Sequence, residues 1–205
     1  MVDISTIFLT TGDTREPVEA ELRDAIEEQQ LIDWQTQWQP AQIENLRELA
    51  RRGVPMAQWP QSWHWDWRQK RAGMASLLAY PGFSVVAQGV TQGLAQVDLT
   101  RSARAAQHQG KPLAYVDYLE VAPWNRSDLG NVPRLKGVGT ALLTAAVALS
   151  MDEDFKGRLG LHSLPQADEF YRRLGLIDLG PDAACQGLRY FEMTENQARA
   201  FLEEG

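Results

Sequence analysis

The chain has 205 residues, 44% of them apolar and 23% charged, with a net charge of −7. That length supports one sizeable core, and the acidic balance argues against broad binding to nucleic acid or anionic membranes. A single cysteine, Cys185, excludes an intramolecular disulfide and a cysteine-rich metal site. The histidines His64, His108 and His162 show no zinc-ligand spacing, so no metal is expected.

The opening MVDISTIFLTTGD has no basic start and too short an apolar run for a secretory signal. No apolar run approaches about 18 residues, the length that would span a membrane. The expectation is a soluble, cytoplasmic protein. Residues 4–10 read as a short strand broken at Thr11-Gly12-Asp13. From Pro17 to about Trp34, Val18, Leu22, Ile26 and Leu31 recur at helical spacing. Pro40 starts a second predicted helix that ends at Gly53, with Ile43, Leu46 and Leu49 on its apolar face.

Residues 54–73 hold Trp59, Trp63, Trp65 and Trp67. With Trp34 and Trp38, all but one of the seven tryptophans lie in the first third. Two readings stand. The rings wall an acceptor pocket, or they pack the N-terminal helices onto a sheet. The alternation of Trp63, Trp65 and Trp67 suggests a short extended piece.

Strand periodicity then takes over. Residues 83–88 and 93–100 form a predicted hairpin across Gly89-Val90-Thr91-Gln92. Residues 101–112 are a polar connection. The next strand is 114–123, with Val116, Tyr118 and Glu120 on one face and Asp117, Leu119 and Val121 on the other. A helix from Gly137 to Ser150, a buried strand at 158–164 and a short helix at 166–175 follow. A turn at Pro181-Asp182 separates the last two strands. Thr194 and Gln197 have the capping-box form before a terminal helix.

Between the strand at 114–123 and the helix after it lies Arg134-Leu135-Lys136-Gly137-Val138-Gly139-Thr140. Two glycines let the backbone turn sharply and pass close to a ligand. The helix behind them directs its unpaired N–H groups and positive dipole end into that turn, where phosphate is the natural guest. The run is neither a Walker-type P-loop nor the three-glycine dinucleotide fingerprint.

Three ordered motifs within residues 83–193 resemble the GNAT superfamily of acyl-CoA N-acyltransferases. Arg134, Gly137 and Gly139 match its R/Q-x-x-G-x-G/A signature. Leu119, Val121 and Pro123 match its L-x-V-x-P strand. Ala167, Tyr171 and Gly175 match its A-x-x-x-Y-x-x-x-G pattern, with Leu176 in the position of the following Phe. Departures are the segment 124–133 between Pro123 and Arg134, Leu135 in place of a common glycine, and Leu164 where many members carry an asparagine that contacts the cofactor. The first 75 or so residues lie outside the resemblance.

The resemblance implies an α+β fold of helices layered on a mixed, mostly antiparallel sheet, with a parallel strand pair splayed at the cofactor site. It implies a single domain, 1–205, with 1–75 a helical, Trp-rich region and 76–205 the acyl-CoA-binding core. The implied activity is direct transfer of acetyl from acetyl-CoA to an amine, without metal or covalent enzyme intermediate. The pyrophosphate then lies on backbone N–H groups from Leu135 through Lys136, Gly137, Val138 and Gly139 to Thr140, with Arg134 and Lys136 adding charge, and the pantetheine arm pairs with Leu119, Glu120 and Val121.

An amine of pKa about 10.4 must lose a proton before it attacks. Glu120 is the first candidate base, with Asp117 and His162 as alternatives. Tyr171 is the candidate acid for the departing thiolate. The acceptor is a small-molecule, peptide or protein amine, and a homodimer is one assembly the resemblance allows. The alternative is a non-catalytic acyl-CoA-binding module of the same fold.

Overall fold

The computed structural model describes residues 2–74, 76–126 and 132–204. Among the described residues, nine strands form a mixed, hydrogen-bonded sheet, accompanied by helices. The chain divides into two compact units. One comprises Met1–Ser76, Gly82–Leu94 and Leu119–Leu142. The other comprises Leu77–Pro81, Ala95–Tyr118 and Leu143–Gly205.

The first unit begins with strands β1 (Ile4–Thr11) and β2 (Pro17–Arg23), paired antiparallel from Ile4↔Arg23 to Thr10↔Pro17. The helix expected from Pro17 is therefore a strand in its first half. Val18, Leu22 and Ile26 fit either period, but Val18, Ala20 and Leu22 also alternate with the exposed Glu19 and Glu21. Pairing decides the matter, since β2 is also registered on β3 (Gly82–Ala87), from Ala20↔Ala87 to Arg23↔Ser84.

Helix α1 (Glu28–Asp33) runs through a π turn, Trp34–Trp38, directly into α2 (Gln39–Arg51). The second predicted helix is thus a continuation of the first. Pro40 has no N–H to give to the preceding turn, and a wider turn accommodates it. The Gln39 N–H accordingly bonds back to Trp34 O. Trp34 and Trp38 are buried on this run. The run is tied to β4 (Val90–Asp98) by Trp38 Nε1–H donating to Thr91 O at 2.8 Å. The Thr91 N–H and hydroxyl both donate to Asp33 Oδ2, at 2.9 and 2.7 Å.

The tryptophan stretch folds into 3-10 turns at Met56–Gln58 and Gln61–His64 and the short helix α3 (Trp67–Arg71). The extended piece suggested by alternation is not formed. Pro60 opens a tight turn, and the Asp66 side chain caps α3 by accepting the Gln69 N–H at 3.0 Å.

The β3–β4 hairpin closes more tightly than expected, on Gln88 and Gly89 alone, with φ of 54° and 73°. Thr91 and Gln92 consequently belong to β4. Strand β5 (Ala114–Val121), the two-residue strand β6 (Leu135–Lys136) and helix α4 (Val138–Asp152) follow. β6 pairs antiparallel with β1, Thr10↔Lys136 and Thr11↔Leu135, so the strand order here is β6-β1-β2-β3-β4.

In the second unit the order is β5-β7-β9-β8, with β7 Leu159–Ser163, β8 Ile177–Asp182 and β9 Leu188–Met193. β5 and β7 run parallel; the other pairs are antiparallel. Helix α5 (Asp168–Arg173) follows a 3-10 turn at Pro165–Ala167. Helix α6 (Glu195–Glu204) opens on the expected capping box, Thr194 N–H to Gln197 Oε1 at 2.8 Å with Gln197 N–H to Thr194 Oγ1 at 3.4 Å.

The turn expected at Pro181-Asp182 lies later, at residues 183–187. Pro181 sits inside β8, which tolerates it because β8 is an edge strand with an irregular register between Asp178 and Pro181. No helix among the described residues is long and apolar enough to cross a membrane.

Gly12 sets how closely β1 approaches the segment before α4. Its N–H donates to Arg134 O at 3.0 Å, and a Cβ there would lie 1.6 Å from Pro133 O. Gly12→Ala is therefore expected to destabilise the protein by about 1–3 kcal/mol. Urea denaturation measures this; a change within error would show that the two segments separate freely.

Candidate functional site

The turn into α4 is fixed by side chains that lie well before it in sequence. Gln92, on β4, is buried, and its Oε1 accepts Trp124 Nε1–H and Asn125 Nδ2–H, each at 2.9 Å. The other end of the buried Asn125 amide, Oδ1, accepts the Leu135 N–H at 2.9 Å. The Arg134 N–H donates to Trp124 O at 3.0 Å. Lys136 stands in the β6–β1 ladder opposite Thr10.

The N–H groups of Arg134 and Leu135 therefore point back into the protein. Of the N–H groups expected from sequence to meet a diphosphate, that of Leu135 is thus already taken. Gly137 has φ of 94°, a left-handed backbone that favours glycine, and is exposed. The Ala141 N–H donates to Gly137 O at 2.8 Å and makes the first intrahelical bond. Upstream of it, the Val138 and Gly139 N–H groups have no acceptor within the helix. Val138 is buried as an apolar anchor and Gly139 is half-buried. The guanidinium of the exposed Arg134 lies 5.4 Å from the centre of the Trp124 ring, and Lys136 is exposed beside it. The result is an open, cationic helix N-terminus, suited to an anion. Of the 124–133 segment between Pro123 and Arg134, residues 127–131 lie outside the described residues.

Glu120 is half-buried on β5. Trp67 Nε1–H donates to its Oε2 at 2.7 Å. Burial raises its pKa above the ordinary carboxylate value, while hydrogen bonds from Trp67 and Ser62 and the charges of Arg126 and Lys70 oppose the rise. Arg126 in turn donates to Ser62 Oγ at 3.0 Å. One tryptophan of the rich stretch, fully buried, thus both packs and orients a carboxylate. The others divide: Trp34 and Trp38 are core, Trp59 Nε1–H donates to Val54 O at 3.0 Å, and Trp63 is exposed. Leu119 and Val121 flank Glu120 on β5, both half-buried.

In the second unit, the parallel ladder of β5 and β7 registers Ala114↔Leu159, Tyr115↔Gly160 and Val116↔Leu161 and ends there. Both strands run on, β7 to Ser163. Tyr171, on α5, is buried between Phe170 and Phe191, with ring centroids 5.2 and 5.8 Å away. Burial, with Asp168 adding to it, pushes its phenol well above the usual range. Among the described residues its hydroxyl has no hydrogen-bond partner. Leu164 precedes the 3-10 turn, and its carbonyl accepts the Ser163 hydroxyl and the Ala167 N–H. Asp117 is half-buried on β5.

His162 belongs to a group that sequence spacing does not reveal. Its Nδ1 lies 2.6 Å from the Tyr115 hydroxyl and its Nε2 lies 3.0 Å from Asp182 Oδ2. Arg104 also bonds Asp182 Oδ2 and stacks over the Tyr190 ring at 4.2 Å. Arg104 and His162 hold the Asp182 carboxyl well below the usual range. Burial pushes the Tyr115 phenol up to about 12.

No protein-family model and no curated protein matches this sequence. Solved structures do resemble it. One described as a bacterial toxin aligns with a TM-score of 0.53 at 13% identity, over 100% of this chain and 97% of that one. A GNAT-family acetyltransferase from Listeria monocytogenes 4b F2365 aligns with a TM-score of 0.52 at 12% identity, over 92% and 99%. The PaiA N-acetyltransferase from Thermoplasma acidophilum, in complex with coenzyme A, aligns with a TM-score of 0.51 at 13% identity, over 85% and 98%. With its mixed sheet, its parallel β5–β7 pair and this likeness, the chain has the fold of the GNAT superfamily.

Proposed function

We propose that this protein is an acetyl-CoA-dependent N-acetyltransferase acting on a primary amine, of a small molecule, a peptide or a protein. The observation that carries the reading is the open helix N-terminus at Gly137–Gly139, held in place from beneath by Gln92 and Asn125. Fixed amide donors, a positive helix end and the exposed Arg134 and Lys136 suit a diphosphate. Coenzyme A is the diphosphate-bearing ligand of the Thermoplasma acidophilum protein of like fold, which supports it as the ligand here. The Leu119–Val121 segment of β5 offers backbone groups for the peptide-like pantetheine arm.

The thioester supplies an activated acyl group. Removing the ammonium proton of the acceptor is the work of Glu120. Burial brings its pKa closer to working pH, which makes it a better base, and Trp67 holds one carboxylate oxygen in place. Tyr171 stays protonated at neutral pH because burial disfavours its anion. A protonated phenol without a hydrogen-bond partner among the described residues suits delivery of a proton to the coenzyme A sulfur.

Coenzyme A release from acetyl-CoA across an amine panel tests the reading; turnover with no amine would end it. Tyr171→Phe is expected to lower kcat about 10²-fold and leave the Kd for coenzyme A unchanged. Normal turnover in that variant would remove Tyr171 from the mechanism. Asn125→Ala leaves the Leu135 N–H without a partner and Gln92 Oε1 with Trp124 alone, at a cost of about 1–3 kcal/mol. Coenzyme A affinity, measured by calorimetry, should fall about tenfold if the cradle needs that support.

The raised pKa of Glu120 has a consequence for stability. Above pH 4.5, the folded protein keeps a proton that the unfolded chain has released, so stability falls as pH rises through the raised value. Glu120→Gln should flatten that fall in urea denaturation across the same window. An unchanged profile would show that the carboxyl titrates normally.

A further inference from the structure

His162, Asp182 and Cys185 each bring one ligand atom into a cluster in which all lie within 4.8 Å of one another. The fold explains the convergence. His162 sits on β7 opposite Tyr190 of β9, and Asp182 ends β8 opposite Leu188 of the same β9. After Asp182 the chain enters a 3-10 turn, Ala183–Cys185. Side chains three residues apart in such a turn eclipse, so Cys185 returns over Asp182. Two bonds of 2.9 Å fix the turn: Asp182 Oδ1 accepts the Ala184 N–H, and Asp182 O accepts the Gly187 N–H. The Cys185 thiol is half-buried and has no hydrogen-bond partner among the described residues.

We propose that this cluster binds a thiophilic divalent cation of the Zn²⁺ class, through His162 Nε2, the Asp182 carboxylate and Cys185 Sγ, with a fourth position open to water. Thiolate, imidazole and carboxylate are the ligand types zinc selects, and sulfur disfavours Mg²⁺ and Ca²⁺. Tyr115 completes the arrangement. With Nε2 on the metal, the His162 proton resides on Nδ1 and is donated to the Tyr115 oxygen, 2.6 Å away. Such an outer bond orients most metal-bound histidines.

Arg104 is the opposing charge, bonded to the same Asp182 oxygen as His162. Asp182 and the Cys185 thiolate together neutralise the dication, and a carboxylate oxygen can accept Arg104 from the side away from the metal. Metal uptake therefore releases the thiol proton and moves the imidazole proton from Nε2 to Nδ1. The bound ion would staple the turn after β8 to β7. This inference is independent of the acyl-transfer reading.

Cys185 is the chain's one cysteine, so alkylation by iodoacetamide reports on this site alone. In the full chain stripped with EDTA, Zn²⁺ at about ten times its Kd should slow alkylation about tenfold, because only unoccupied protein reacts. Mg²⁺ should leave the rate unchanged. His162→Asn should restore the metal-free rate in the presence of Zn²⁺. Co²⁺ added to the unsubstituted chain should give a thiolate-to-cobalt absorption band and the strong visible bands of a tetrahedral site, so the proposal stays testable if the variant does not fold. Alkylation indifferent to Zn²⁺, protection undiminished in His162→Asn, or the Co²⁺ spectrum of the aqueous ion would each overturn it.

Discussion

Gln92 carries one buried side-chain oxygen on which two donors of the first unit converge. It accepts the indole N–H of Trp124 and the amide of Asn125, and Asn125 passes the constraint on to the Leu135 N–H. The Gln92 backbone carbonyl accepts the Ala122 N–H at 2.8 Å, just beyond the end of β5. Buried polar atoms that lose a partner pay their full desolvation cost, so such a relay locks one arrangement more firmly than apolar packing would. Because Leu135 and Arg134 are held this way, Gly137 can remain open without the turn collapsing. The openness of this helix N-terminus is a consequence of buried amides a few residues away.

The same logic places Glu120. A half-buried carboxylate on a strand would ordinarily be a liability. Here α3 delivers a fully buried indole whose N–H is its hydrogen-bond donor. A neutral donor orients the group without the large pKa depression that a tight ion pair brings. The helical run leading to α3 is itself anchored on β4 through Trp38 and Asp33. Aromatic residues that looked like either a pocket wall or packing material thus do a third thing, which is to set the environment of one titratable group.

Much of this was readable in the sequence. The glycine turn, the β5 strand, the short helix with Tyr171 and the terminal capping box all rest on local signals, and each forms within a residue or two of its expected bounds. What misled was periodicity shared by two structures. Val18 and Leu22 suit a helix and a strand alike, and the small Ala20 between them, 3% exposed, is a buried strand position that carries little hydrophobic signal. Gln92 and Asn125 were hidden for another reason. One was assigned to a turn and the other to an inserted segment, so neither counted as a buried amide. The His162–Asp182–Cys185 cluster lay beyond any spacing rule, because β9 stands between β7 and β8 in the sheet yet follows both in sequence.

Two carboxylates show how environment, more than residue type, sets which protonation state is favoured in this chain. Glu120 is dominated by burial, and its protonated form is favoured. Asp182 is dominated by Arg104 and His162, and its anion is favoured. A base must be able to take up a proton near working pH, whereas a cation ligand must not hold one. Exchanging the two environments would spoil both proposed roles: a carboxylate clamped by a guanidinium is too weak a base, and one whose anion burial disfavours would be protonated too readily to ligate.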